Sequence, residues 1–161
     1  MYVAAFLSVY LLWLYRIKAY PDLIDSKWNS EAVSDLLFYG ALGAVIGGRL
    51  GYVLFYKPEY YLSNLLEVVY LQQGGMSFHG GLLGVIAGIY LFSRKIKLSF
   101  MSVADFVAPV APIGLFFGRM GNFINQELWG KTTDLPWGMV FTNGGPVPRH
   151  PSMVYVSLIH I

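Results

Sequence analysis

The stretch Leu36–Tyr56, LLFYGALGAVIGGRLGYVLFY, decides the fold. It carries a single charged residue, Arg49. A membrane-spanning helix needs about 20 predominantly apolar residues, and this run supplies them. Gly43, Gly47 and Gly51 recur at every fourth position, with Gly40 and Gly48 near the same face. Such small-xxx-small spacing lets two helix backbones approach closely inside a membrane. We assign this stripe to packing rather than to chemistry.

The composition extends that reading to the whole chain. Of 161 residues, 56% are hydrophobic and 12% charged. A soluble domain carries about 45–50% apolar residues and about 25% charged ones, so the balance points to an all-α, polytopic integral membrane bundle. There are no cysteines, which excludes disulfides and thiolate metal sites. A net charge of +2 gives no electrostatic footprint for nucleic acid. The first apolar run, Tyr2–Tyr15, has no basic region before it and no small-residue cleavage site after it, so a signal peptide is not expected. Both this run and the last one, Met153–Ile161, read as cut at the chain ends.

Further spans follow on either side. Met76–Phe92 repeats the small-residue spacing at Gly80, Gly84 and Gly88. Phe100–Phe117 contains Pro109 and Pro112; each removes a backbone donor, so this segment is expected to bend. With Tyr2–Tyr15 and Leu36–Tyr56, that makes about four spans in one membrane domain over residues 1–161. Arg16–Glu31 and Lys131–Pro151 read as loops, and Lys57–Gly75, with its YYLSNLLEVVY run, as an interfacial segment. Basic residues cluster after the first span (Arg16, Lys18, Lys27) and after the third (Arg94, Lys95, Lys97). The positive-inside rule makes those loops cytoplasmic. The chain start, Lys57–Gly75 and the segment after Phe117 then face outward.

That outward segment, GRMGNFINQELWG at Gly118–Gly130, gathers Arg119, Asn122, Asn125, Gln126 and Glu127. Polar groups so dense at the end of a membrane helix are a functional-site hypothesis by default. On a continuous helix, Arg119, Asn122 and Gln126 share one face. Two more candidates lie at the same expected depth. His79, in GGMSFHGG, is flanked by glycines that leave its imidazole open, and an imidazole suits proton transfer near neutral pH. Arg49 offers a planar fork that matches phosphate; a pairing with Glu67 or Glu127 would make it structural instead. A base beside an anion clamp suggests a phospholipid with an anionic head group as substrate.

Four motifs carry a resemblance: GGRLGYVLFY (Gly47–Tyr56), GGMSFHGGLLG (Gly74–Gly84), GRMGNFINQELWG (Gly118–Gly130) and PRHPS (Pro148–Ser152). Together they resemble the prolipoprotein diacylglyceryl transferase family, from Met1 to about Tyr155. The resemblance implies a bacterial inner-membrane enzyme with about seven spanning helices, of which this sequence holds about four, its site facing the periplasm. It implies transfer of a diacylglyceryl group from phosphatidylglycerol to the lipobox cysteine thiol in the signal peptide of a preprolipoprotein. Membrane lipids surround the site, and no metal or cofactor is implied. The family's phosphatidylglycerol-binding arginine falls on Arg119. Its motif asparagine, glutamate and closing glycine fall on Asn122, Glu127 and Gly130, and its histidine on His79. We take His79, Arg119 and Glu127 as catalytic candidates. Arg119, Asn122, Asn125, Gly130 and Arg49 are the candidates for substrate binding.

The departures from the family pattern are specific. Gln126 stands where the family commonly has glycine. Met153–Val156 replaces Gln-Leu-Tyr-Glu, which leaves no carboxylate at Val156. The family's second important arginine lies on a helix beyond Ile161, so the sequence reads as an N-terminal and central portion, inactive by itself. The rival readings are a small transporter or channel subunit, with Arg49, Arg119 and Glu127 along a polar pathway, and a non-catalytic remnant.

Overall fold

A computed structural model describes residues 1–159. The last two residues of the apolar run Met153–Ile161 therefore lie outside the described residues. The chain is helical: α1 Tyr2–Ala19, α2 Ser30–Phe55, α3 Pro58–Ser63, α4 Phe78–Ile96, α5 Phe100–Val107, α6 Ala111–Ile124 and α7 Ser152–Ile159. Short 3-10 turns fill several connections. Two helical runs, Ser30–Phe55 and Phe100–Ile124, are long and apolar enough to cross a membrane. Only 28% and 17% of their apolar windows are buried, whereas the core helix of a soluble protein is mostly buried. The exposed side chains of α2 include Leu42, Val45, Ile46, Leu50 and Leu54, which suits lipid as the solvent.

The helix boundaries run wider than hydropathy alone indicates, because caps and not hydrophobicity set them. The second span begins at Ser30, not Leu36: the Asn29 side chain accepts from Ala32 N at 2.8 Å, an N-cap bond. Helix α4 begins at Phe78, where Ser77 Oγ accepts from Gly80 N at 3.2 Å. It runs past Phe92 to a left-handed Lys97. At the prolines the α-helix gives way to a 3-10 turn, Ala108–Val110, and Pro112 sits in the first turn of α6.

The chain divides into two compact units: Ile17–Phe106, and Met1–Arg16 together with Val107–Ile161. In the first, α2 packs on α4 through the two glycine stripes. Gly43 faces Gly84, and Gly47 faces Gly80 and Gly84. A Cβ at Gly51 would lie 2.8 Å from Gly80 Cα, so only hydrogen fits there. At one end of the pair Trp28 stacks on Phe106, with centroids 3.8 Å apart, and leans on Phe92 at 5.7 Å. There Lys95 Nζ donates to Asp35 Oδ2 at 2.6 Å, and Lys27 Nζ to Lys97 O at 2.8 Å.

In the second unit α6 packs against α7. The Gly- and Pro-rich loop before α7 is ordered by backbone pairing. Gly130 N donates to His150 O at 2.8 Å, His150 N to Lys131 O at 3.0 Å and Thr133 N to Pro148 O at 3.0 Å. Met139 and Arg149 exchange both of their bonds, at 3.0 and 2.8 Å. Phe141, 3% exposed, anchors the loop, edge-on to Phe123 and stacked on Trp129.

Candidate functional site

Helix α6 delivers the polar cluster. It ends at Ile124, and the chain then folds back over its own last turn: Asn125 N donates to Gly121 O at 3.0 Å and Glu127 N to Asn122 O at 2.8 Å. Gln126 and Leu128, on either side of Glu127, both sit at φ +56°. The left-handed region is uncommon for non-glycine residues and persists only where the surroundings fix it. The expected shared face of Arg119, Asn122 and Gln126 is therefore corrected. Arg119 and Asn122 are helical, whereas Gln126 lies beyond the helix end and turns away. The one local signal for that stop is Asn125 directly after Ile124, since asparagine is tolerated at helix ends.

A cavity of about 440 Å³ opens beside this helix end. Asn122, Asn125 and Glu127 give it a polar wall; Phe117, Ile124 and Met1 give it an apolar one. Gly118 and Gly121 complete the lining on α6, and the absence of side chains there leaves the backbone approachable. The apolar wall was not read from sequence. Arg119 is half-buried on the same turn of α6 but does not line the cavity. Among the described residues its guanidinium has no hydrogen bond or ion pair, and neither has the Glu127 carboxylate. Gly130 lies at the foot of the loop, where a Cβ would meet His150 Cβ at 3.0 Å. The backbones approach closely there. Nearby, Ser152 Oγ donates to Leu128 O at 2.7 Å, and His150 Nδ1 lies 3.2 Å from the Tyr155 hydroxyl. Among the described residues no group of three or more His, Asp or Glu side chains could hold a metal ion.

His79 belongs to the other unit, in the first turn of α4. Its ring is exposed and, among the described residues, meets Phe78 edge-on, with centroids 5.8 Å apart. The glycine flanks do leave it open.

Arg49 behaves differently. It is 4% exposed. Its Nε donates to Val68 O at 2.8 Å. One terminal nitrogen donates to Gly74 O at 2.6 Å and Gly75 O at 3.3 Å, the other to Glu67 O at 2.7 Å and Tyr70 O at 3.1 Å. The guanidinium also lies over the Tyr61 ring at 5.2 Å. A guanidinium has five N–H groups, and every one is engaged. The carboxylate pairing considered for Arg49 is corrected: its partner on Glu67 is the backbone carbonyl, and the Glu67 carboxylate takes the Tyr60 hydroxyl at 2.6 Å instead. With no donor left for a phosphate, the substrate-binding role expected of Arg49 is not carried forward.

An all-helical membrane protein with an unpaired arginine and an amide-lined cavity at one helix end is the class that fold and site define. The profile of the prolipoprotein diacylglyceryl transferase family matches residues 1–161, and the chain belongs to that family. It is 53% identical over 158 residues to the phosphatidylglycerol–prolipoprotein diacylglyceryl transferase of Idiomarina loihiensis, covering 98% of this chain and 58% of that protein. It is 57% identical over 155 residues to the protein of the same name from Nitratidesulfovibrio vulgaris strain DP4, covering 96% and 57%. To that of Bordetella avium it is 56% identical over 156 residues, covering 96% and 58%. The chain thus spans less than two thirds of the length of these relatives.

Proposed function

We propose that this protein serves the transfer of the diacylglyceryl group of phosphatidylglycerol to the lipobox cysteine thiol of preprolipoproteins. The observation that carries the reading is Arg119, a half-buried guanidinium with unengaged donors, one turn from the amides and carboxylate of the cavity wall. Family membership and the names of the relatives support it. The cysteine sulfur forms a bond to the glyceryl carbon, and the carbon–oxygen bond to phosphate breaks. The electron pair leaves on glycerol phosphate. Arg119 stabilises the charge that develops on that phosphate, which in a low-dielectric site is worth far more than in water. The thiol, with an ordinary pKa near 8.5, must lose its proton; we assign that proton to His79 and the orientation of the head group to Asn122, Asn125 and Glu127.

The same reading places the protein in the bacterial inner membrane as a multi-pass enzyme, with Arg94–Lys97 cytoplasmic and Gly118–Gly130 on the periplasmic side. Reporter fusions after Lys97 and after Gly130 check this, and the reverse pattern overturns it. The function is tested in the context of a full-length enzyme of the family, by release of glycerol phosphate from phosphatidylglycerol in the presence of a lipobox peptide. Arg119→Lys should lower turnover about a hundredfold or more, because a point charge does not reproduce a planar fork on phosphate. Near-normal turnover by Arg119→Lys discards the clamp. Near-normal turnover by His79→Gln at neutral pH moves the base elsewhere.

A further inference from the structure

The reversal of the chain after α6 holds Glu127 at the cavity through an unusual backbone, and one side chain explains how. Gln126 is half-buried at φ +56°. Its Oε1 accepts from Thr142 N at 2.6 Å. Thr142 opens the short turn Thr142–Gly144, directly after the buried Phe141. That bond ties the reversal to the part of the loop that is most firmly seated, since Phe141 packs on both Phe123 and Trp129. The other ties on this segment are backbone bonds back to α6, from Gln126 N to Phe123 O at 3.1 Å and from Glu127 N to Asn122 O, and the Ser152 bond to Leu128 O. Among the described ties of this segment, only the Gln126 side chain reaches the Thr142 turn, which Arg149 Nε holds from the other side by donating to Gly144 O at 2.8 Å.

We propose that Gln126 is a positioning residue: its amide oxygen latches the Asn125–Leu128 reversal to the Thr142 turn and thereby fixes the Glu127 carboxylate at the cavity wall. The proposal rests on the reading of this cavity as the head-group site. The latch needs an acceptor at the length of a glutamine side chain. Asparagine tolerates the left-handed backbone but falls one methylene short. Glycine adopts the same backbone without a Cβ penalty and has no acceptor at all. Glutamate keeps both the length and the acceptor. A residue that mattered only for backbone strain would instead be improved by glycine.

Two measurements on the membrane-embedded protein test this separately. The first is hydrogen exchange at the Thr142 amide, which reads the latch whatever the activity. Gln126→Gly and Gln126→Asn should speed that exchange at least several-fold, and Gln126→Glu should not. Unchanged exchange in Gln126→Gly overturns the latch. The second is steady-state diacylglyceryl transfer by a full-length enzyme of the family that carries this segment. The two shortened variants should lose about five-fold in kcat, the worth of one hydrogen bond with which water competes, with KM for phosphatidylglycerol nearly unchanged. Gln126→Glu should restore most of it. Faster exchange at Thr142 with full kcat in the shortened variants overturns the positioning role while leaving the bond in place. Absence of transfer in that full-length parent, with the exchange result intact, overturns the functional reading of the cavity and so the positioning role, but not the latch.

Discussion

Arg49 and Arg119 lie in different compact units and use the same five donors in opposite ways. Arg49 is buried with every N–H on a backbone carbonyl of residues 67–75. Arg119 is half-buried and, among the described residues, has no partner. The difference separates architecture from chemistry. A buried charge must be compensated on the spot, and Arg49 is compensated by the connection that leads into α4. That connection is irregular, two 3-10 turns and two glycines at positive φ, and it presents carbonyls that no ladder satisfies. One guanidinium gathers them. The main-chain bond from Ser77 N to Gly48 O, 2.8 Å long, continues the seam up to the helix that bears His79. Arg119, with donors to spare, is the residue to which an anion can come.

The largest effect should follow from breaking the satisfied arginine. Arg49→Lys offers at most three donors from a single point, so at least two carbonyls lose their partner. Each orphaned buried group costs about 1–3 kcal/mol, and the substitution should destabilise the protein by about 3 kcal/mol or more. Limited proteolysis within Lys57–Gly75 and the thermal midpoint in detergent both report it. Stability within error of the parent would show that the seam is not structural.

A smaller contrast sharpens the same division on the glycine stripe. Gly84 meets the backbone of α2 at Gly43, whereas Gly40, on the same helix as Gly43, has nothing within 4 Å of where a Cβ would lie. Gly84→Ala should cost about 1–3 kcal/mol through overpacking. Gly40→Ala should be neutral or gain up to about 1 kcal/mol from helix propensity. Equal thermal shifts for the two would remove the close helix contact from the account.

The smallest effect concerns the segment that Arg49 organises. The Tyr60 hydroxyl donates to Glu67, which pushes its pKa above the ordinary phenol value of 10.0. The bond favours the neutral phenol, so its contribution is whole below pH 10 and is lost as pH rises through the raised value. An alkaline titration of phenolate absorbance, compared with Tyr60→Phe, should assign a late-titrating tyrosine to this position. Ionisation of Tyr60 at or below the ordinary value would show that the bond does not form.

The helical bundle was legible because apolar length and glycine spacing are properties of side chains. Gly43, Gly47 and Gly51 announce a close helix contact by lacking one. The partners of Arg49 were not legible, because backbone carbonyls carry no residue signature; a search among carboxylates led to Glu67 for the wrong atom. The cluster at Arg119, Asn122 and Glu127 was visible as polarity in an apolar sequence. Its geometry was not, since the left-handed Gln126 bonds to Thr142 and the last turn of α6 packs on Phe141, both distant in sequence.

The central claim is that the Arg49 donors serve the fold and those of Arg119 serve an anionic head group. Modification by an arginine-specific dicarbonyl, mapped residue by residue by mass spectrometry in membranes with and without phosphatidylglycerol, reads both at once. The account predicts that Arg119 reacts and is protected by phosphatidylglycerol, while Arg49 stays unmodified until the protein unfolds. Reaction of Arg49 at the rate of Arg119, or protection of Arg49 rather than Arg119 by the lipid, would contradict it.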